Sequence, residues 1–186
     1  MNEFLSGRLL IASPYLSDPN FMRSLVLIVN HDEEGAFGLS LNRRTDRRLS
    51  DLVELSMPSG SVRDDDQIFQ GGPVEGPLLA IHDLAGVGTP VGADTSSVWL
   101  TGDEDHLRLL LTRVDAEVRF VSRYSGWGPQ QLDMELDSGG WLIADAEHDL
   151  VFGDPGEVWE DAVKRCGHQI LASLTPGLRF SDPSVN

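Results

Sequence analysis

Cysteine is nearly absent. Cys166 stands alone, which excludes an internal disulfide and any multi-cysteine metal or iron–sulfur centre, and points to a reducing compartment. Lysine is as scarce: Lys164 is the only one, so Schiff-base chemistry has a single candidate, and that one falls among helix-surface residues. Fourteen basic residues face thirty acidic ones, a net charge of -16, and the averaged field repels nucleic-acid backbones and anionic lipid head groups. Long apolar runs are missing too. The longest, Leu25 to Val29, is far too short to span a bilayer, and the first residues lack the charged and apolar regions of a signal peptide. The expectation is a soluble, cytoplasmic protein with no membrane association and no direct nucleic-acid binding.

Catalytic signatures are lacking as well. There is no GxSxG elbow for a serine nucleophile, no phosphate loop, and no GxGxxG after a strand. His82, His106, His148 and His168 are isolated, and no HxH or HExxH pair exists to hold a transition metal. His31 beside Asp32, Glu33 and Glu34 reads either as half of a proton-transfer or metal site or as an exposed turn. No metal, no cofactor and no catalytic residue is assigned.

What is present is strand-rich. Leu9 to Ala12 and Ser24 to Asn30 are nearly continuous apolar runs, the mark of strands buried on both faces. Ala36 to Asn42 alternates Phe37, Leu39 and Leu41 with small or polar residues, so it pairs with the preceding strand across the polar turn His31 to Gly35. Arg43, Arg44, Arg47 and Arg48 form the one local basic patch, read as a solvated loop or as a dock for an anionic ligand or acidic partner. A short helix is expected over Leu49 to Leu55, then strands at Ile68–Gln70, Leu78–His82, Val98–Leu100 and Val118–Ser122. Leu107, Leu110, Leu111 and Val114 fall on one face of an amphipathic helix.

The densest stretch is Arg123 to Ile143. With Gly128 as N-cap, Pro129 opens a helix running to Asp137, and Trp127 and Leu132 take the spacing of a hydrophobic staple. Gly128 has no capping side chain, so the helix N-terminus awaits water, a loop or an anion. Trp141–Ala144 and Leu150–Phe152 read as a terminal hairpin. Asp154, Pro155 and Glu157 then cap a last helix that Gly167 closes. The sum is an α+β single domain over residues 1–180, with a largely antiparallel or mixed sheet, three to four helices and a loose tail at 181–186.

These residues resemble the AlgH/YqgE family of bacterial proteins from Gly7 to about Trp159. The resemblance rests on Gly7, Pro14, Asp18, Phe21 and Ser24, on His31, Gly35, Gly38 and Asn42, and on Gly71-Gly72-Pro73-Val74 with His82. Its most specific part is Gly126-Trp127, Pro129, Gln131-Leu132, Glu135-Leu136 and Trp141. Arg44, Gln130 and Asp133 depart from the family pattern, where proline, glycine and glutamate are usual. The resemblance implies a bent, bifurcated sheet closing into a pseudo-barrel. It implies no established activity, although the family carries a transcriptional-regulator label. No helix-turn-helix or basic recognition helix accompanies it here.

The reading that follows is a non-enzymatic binding or regulatory protein for an unknown small ligand or protein partner, of open oligomeric state. Its site would join Asn42, Arg43, Gly71, Gly72, Pro73, His82, Trp127 and Gln131. Asn42, His82 and Gln131 would supply hydrogen bonds, Arg43 charge, and Trp127 an apolar wall. The alternatives are a hydrolase or transferase with His31 or His82 as base beside a carboxylate such as Glu135, and a regulator acting on nucleic acid.

Overall fold

Two sheets share one core in the computed structural model of the chain, which describes residues 4–52, 61–92 and 97–174. In the first, β1 (Arg8–Ala12) lies between β2 (Leu25–Asp32) and a late strand, β11 (Trp141–Asp145). Beyond β2 lie β3 (Gly35–Ser40) and the short β10 (Ser125–Trp127), and every neighbouring pair is antiparallel. The second sheet runs in the order β4 (Arg44–Arg48), β5 (Gln67–Gln70), β9 (Val118–Ser122), β6 (Leu79–His82), β8 (Trp99–Thr101) and β7 (Thr89–Pro90). Its β5–β9 pair is parallel and the rest antiparallel. The α+β class holds, with the strands divided between two sheets and no closed barrel.

Side-chain alternation builds the layers. Leu9, Ile11, Leu25, Leu27, Leu39 and Leu41 turn toward Phe69, Ile81 and Val121 of the second sheet, while Leu10, Ala12, Val26 and Ile28 turn outward. That outer face is covered by α2 (Gln131–Asp137), which adds Leu132 to Trp127 and Trp141. On the far side of the second sheet, α1 (Glu104–Leu111) lays Leu107, Leu110 and Leu111 on Ile68, Ala80 and Phe120. Both sheets are thus covered on both faces, which is why β1 and β2 read as unbroken apolar runs. The core between the sheets is closed by α3 (His148–Phe152) and α4 (Val158–Leu174) through Val151, Val158, Ala162 and Cys166.

Several local expectations are corrected. The strand at Arg44–Arg48 carries no apolar pattern, yet it pairs with β5 at the sheet edge, where charge is tolerated because one side faces solvent. Leu150–Phe152 is helical, and β11 pairs instead with β1, Leu9 opposite Ala144, a contact no local pattern reports. Val114 is 80% exposed because α1 ends at Leu111 and Thr112 takes the C-cap. Gly167 does not end the last helix, which continues to Leu174. Of the helix expected at Leu49–Leu55, a 3-10 turn at Leu49–Asp51 is present; 53–60 and the tail at 181–186 lie outside the described residues.

The helix expected to start at Gly128 and Pro129 starts later, at Gln131. Gln130 precedes it with φ 61, a left-handed conformation that a glycine would adopt with less strain. The chain therefore turns through Pro129 and Gln130 before it coils.

Candidate functional site

The eight residues picked from the sequence fall into four places. Asn42 and Arg43 leave β3 and tie down the loop ahead of β2. Asn42 Oδ1 accepts from the Leu25 N–H at 2.9 Å and its Nδ2 donates to the Arg23 carbonyl at 2.9 Å. Arg43 donates through Nε to Ser24 Oγ at 2.9 Å, and through Nη2 to the Pro19 and Met22 carbonyls at 3.2 and 3.1 Å. Burial lowers the Arg43 pKa, with the Asp18 charge opposing. Both side chains are engaged with the protein's own backbone.

Gly71 and Gly72 sit beside them, where the chain leaving β5 passes between the sheets. The Gly71 N–H donates to the Ser122 carbonyl at 2.8 Å, and its carbonyl accepts from the Ser40 N–H at 2.8 Å and from Ser125 Oγ at 3.1 Å. The Pro73 carbonyl accepts from Arg123 Nη2, whose Nη1 pairs with Glu75 at 2.6 Å. These glycines allow two backbones to touch.

Trp127 and Gln131 belong to a third cluster, centred on Glu135. One carboxylate oxygen accepts from the indole N–H groups of Trp127 at 3.0 Å and Trp141 at 2.8 Å, and the other accepts from Gln131 Nε2 at 3.0 Å. Gln131 Oε1 in turn accepts from the Gly128 N–H at 3.1 Å, filling one of the donors left open in the sequence reading for an anion. Phe21 stacks on Trp127 at 5.9 Å between centroids and meets Trp141 edge-on at 5.4 Å. The most family-specific stretch is thus a polar clasp that seats α2 on the first sheet. Glu135→Gln, which puts an amide NH2 among donors in place of one acceptor oxygen, should lower stability by about 1–2 kcal/mol. A urea midpoint equal to that of the parent protein would show that the clasp carries no net stability.

His82 is apart from all of these. It ends β6, fully buried between Val118 and Trp99 on the neighbouring strands, with neither ring nitrogen hydrogen-bonded. Desolvation drives its pKa down from 6.5 to about 4, with the Asp83 charge opposing and His106 reinforcing. His31 is also buried, accepting from the Leu5 N–H through Nδ1 at 3.2 Å. The pairing of His31 or His82 with Glu135 is therefore not a dyad in this fold.

A cleft lies elsewhere, at the start of β5 and β9. The parallel ladder pairs Phe69–Gln70 with Val121–Ser122. Two adjoining recesses of about 350 and 290 Å³ open there, sharing Arg44, Phe69, Glu117 and Val118. Arg119 and Asp154 line the larger one, with Phe152 and Pro155 as apolar wall. Arg119 is only 6% exposed. It donates to the Leu41 carbonyl at 2.8 Å and to the Gly153 carbonyl, lies 4.9 Å over the Phe69 ring, and leaves Nε without a partner. Burial and the nearby Arg44 charge lower its pKa to about 10, against Asp154 and Glu117 acting the other way. Arg44 is half exposed and only loosely paired, 3.9 Å from Asp154.

Of the cleft, the sequence marked Arg44, as part of the basic patch, and Asp154, as a helix cap. Arg119 carried no signal, because a lone arginine inside a strand is ordinary until its burial is known.

An AlgH-like family model matches residues 9–171. A UPF0301 protein of Ruegeria pomeroyi is 40% identical over 93% of this chain and 98% of its own length, and one of Streptomyces avermitilis is 34% identical over 98% and 95%. The solution structure of the AlgH protein from Pseudomonas aeruginosa superposes with a TM-score of 0.71 at 26% identity, covering 97% of this chain and all of that one. A crystal structure of a Corynebacterium diphtheriae protein shares the fold, with a TM-score of 0.72 at 24% identity and 88% coverage of both chains. By its sequence from β1 into α4, and by the two-sheet fold those residues adopt, the chain belongs to the AlgH-like family.

Proposed function

We propose that this protein is a non-enzymatic cytoplasmic binding or regulatory module whose small ligand enters the cleft beside the starts of β5 and β9. The observation that carries this reading is Arg119, a buried cation with an unpartnered Nε, whose side chain lines an open recess together with charged and aromatic groups. The residues first singled out as a binding site are engaged in holding the sheets and α2 together, so the ligand is assigned to the cleft and not to them. Among the described residues no helix is long and apolar enough to cross a membrane, and the acidic balance disfavours nucleic acid. Native mass spectrometry of protein isolated gently from its host's lysate tests the reading. A reproducible small added mass is expected, lost when the apolar wall is altered by Phe152→Ala; a bare protein, or an adduct indifferent to that change, counts against it.

One pair favours a second reading. His148 Nε2 lies 3.1 Å from Asp83 Oδ2, and its ring is 4.9 Å from that of Phe152, which lines the cleft. A hydrolase would use His148 as general base, oriented by Asp83. It requires His148-dependent turnover with a bell-shaped pH profile, and an activity screen in which parent protein and His148→Gln behave alike would remove it.

A further inference from the structure

We infer that the cleft is built for the oxyanion of a small molecule, a carboxylate or phosphate, held between Arg119 and Arg44; this rests on the cleft being the binding site. Two guanidinium groups act on one recess, and the deeper one has no carboxylate within ion-pair distance among the described residues. A buried charge is stable only when paired or fully hydrogen-bonded, and Arg119 is neither, since two backbone carbonyls and the Phe69 face leave Nε unmet. Arg44 can change partner: its only ion pair among the described residues is 3.9 Å long and half exposed, and Asp154 already spends Oδ1 on the Gly156 N–H at 2.7 Å.

The remaining walls set the ligand's size and sign. Glu117 and Asp154 at the rim oppose a polyanion, which limits the ligand to one anionic group. Phe69, Val118 and Phe152 would cover a small apolar body. The planar fork of arginine matches carboxylate and phosphate oxygens two at a time, which a lysine would not do.

The test is an amide-resolved NMR titration of the full chain with inorganic phosphate, with propionate, and with propionamide as neutral control. Saturable shifts are expected at Phe69, Val118, Arg119 and Gly153 with at least one anion and not with propionamide, weakening as salt is raised. Arg44→Gln, at an exposed edge-strand position, should weaken that binding about tenfold or more while leaving the fold intact. Phosphate alone acting would assign a phosphate site, and propionate alone a carboxylate site. Shifts with propionamide and neither anion would overturn the oxyanion class while leaving the cleft as a binding site. No saturable shift with any of the three would overturn it too, and a host-derived adduct in the mass spectrum would then still support the cleft. Anion binding undiminished in Arg44→Gln would also sink the proposal.

Discussion

Gly72→Ala should be among the most damaging single substitutions in this protein. A Cβ at that position would lie inside 3.0 Å of the Tyr124 carbonyl and the Ser125 nitrogen, atoms of a neighbouring backbone that cannot swing aside as a side chain can. The seam it would force open is also where Val74 and Tyr124 exchange two backbone hydrogen bonds at 3.0 Å, and where Gly71 bonds to strands of both sheets. Overpacking commonly destabilises by 1–3 kcal/mol, and a backbone collision with loss of these bonds should exceed about 3 kcal/mol. For a chain of this size that is a fall of roughly 6–12 °C in Tm. Gly167→Ala is the matching control. It lies within α4 with nothing within 4 Å of the added methyl, so alanine's better helix propensity should raise stability by about 0.5–1 kcal/mol. Thermal melts of the two variants should move in opposite directions. A Gly72→Ala protein melting within a degree or two of the parent would mean that the seam relaxes and that the glycine is there for something else.

The second large effect depends on pH. His82 is neutral in the fold until about pH 4, whereas in the unfolded chain it takes up a proton near 6.5. Between those values the unfolded state binds more protons, so stability falls as pH drops from about 6.5 to about 4 and is unaffected by this residue above and below that window. At 1.36 kcal/mol per pH unit the loss amounts to about 3 kcal/mol. His82→Leu keeps the buried volume apolar and removes both unpaired nitrogens, so it should match or exceed the parent at pH 7 and lead it increasingly toward pH 4. Relief of acidic self-repulsion on approach to the pI of 4.4 acts on both proteins alike and cancels in the comparison. Urea midpoints at pH 7, 6, 5 and 4.5 measure it. Parallel curves for the two proteins would show that His82 takes up its proton equally in both states.

These expectations give structural roles to residues that the sequence reading placed in the candidate site. Gly72 and His82 look functional in a sequence, since paired glycines and a histidine at a strand end are frequent in sites. Here the glycine's neighbour is Tyr124, about fifty positions on, and the histidine's are Val118 and Trp99. Neither partner is near in the chain, so no local pattern distinguishes a seam from a site. Gln131 and Glu135 stood out in the sequence as part of the family-specific stretch; that Glu135 would accept from two indoles was not legible there.

What the residues determined by themselves was local and one-sided. The apolar runs of β1 and β2, the alternation of β3 and the stripe of α1 each carry their own periodicity, because burial of a face is written into successive side chains. The α+β class followed, and so did the family resemblance. Tertiary structure alone decided the rest: that β4 and β10 are strands at all, that β11 joins β1 and not its sequence neighbour, and that Arg119 is buried against a recess beside β5 and β9. Strand pairing is a contact between distant segments, and its free energy resides in backbone ladders that any side chain can join. A cleft formed beside such a pairing leaves no periodic trace in the chain that builds it.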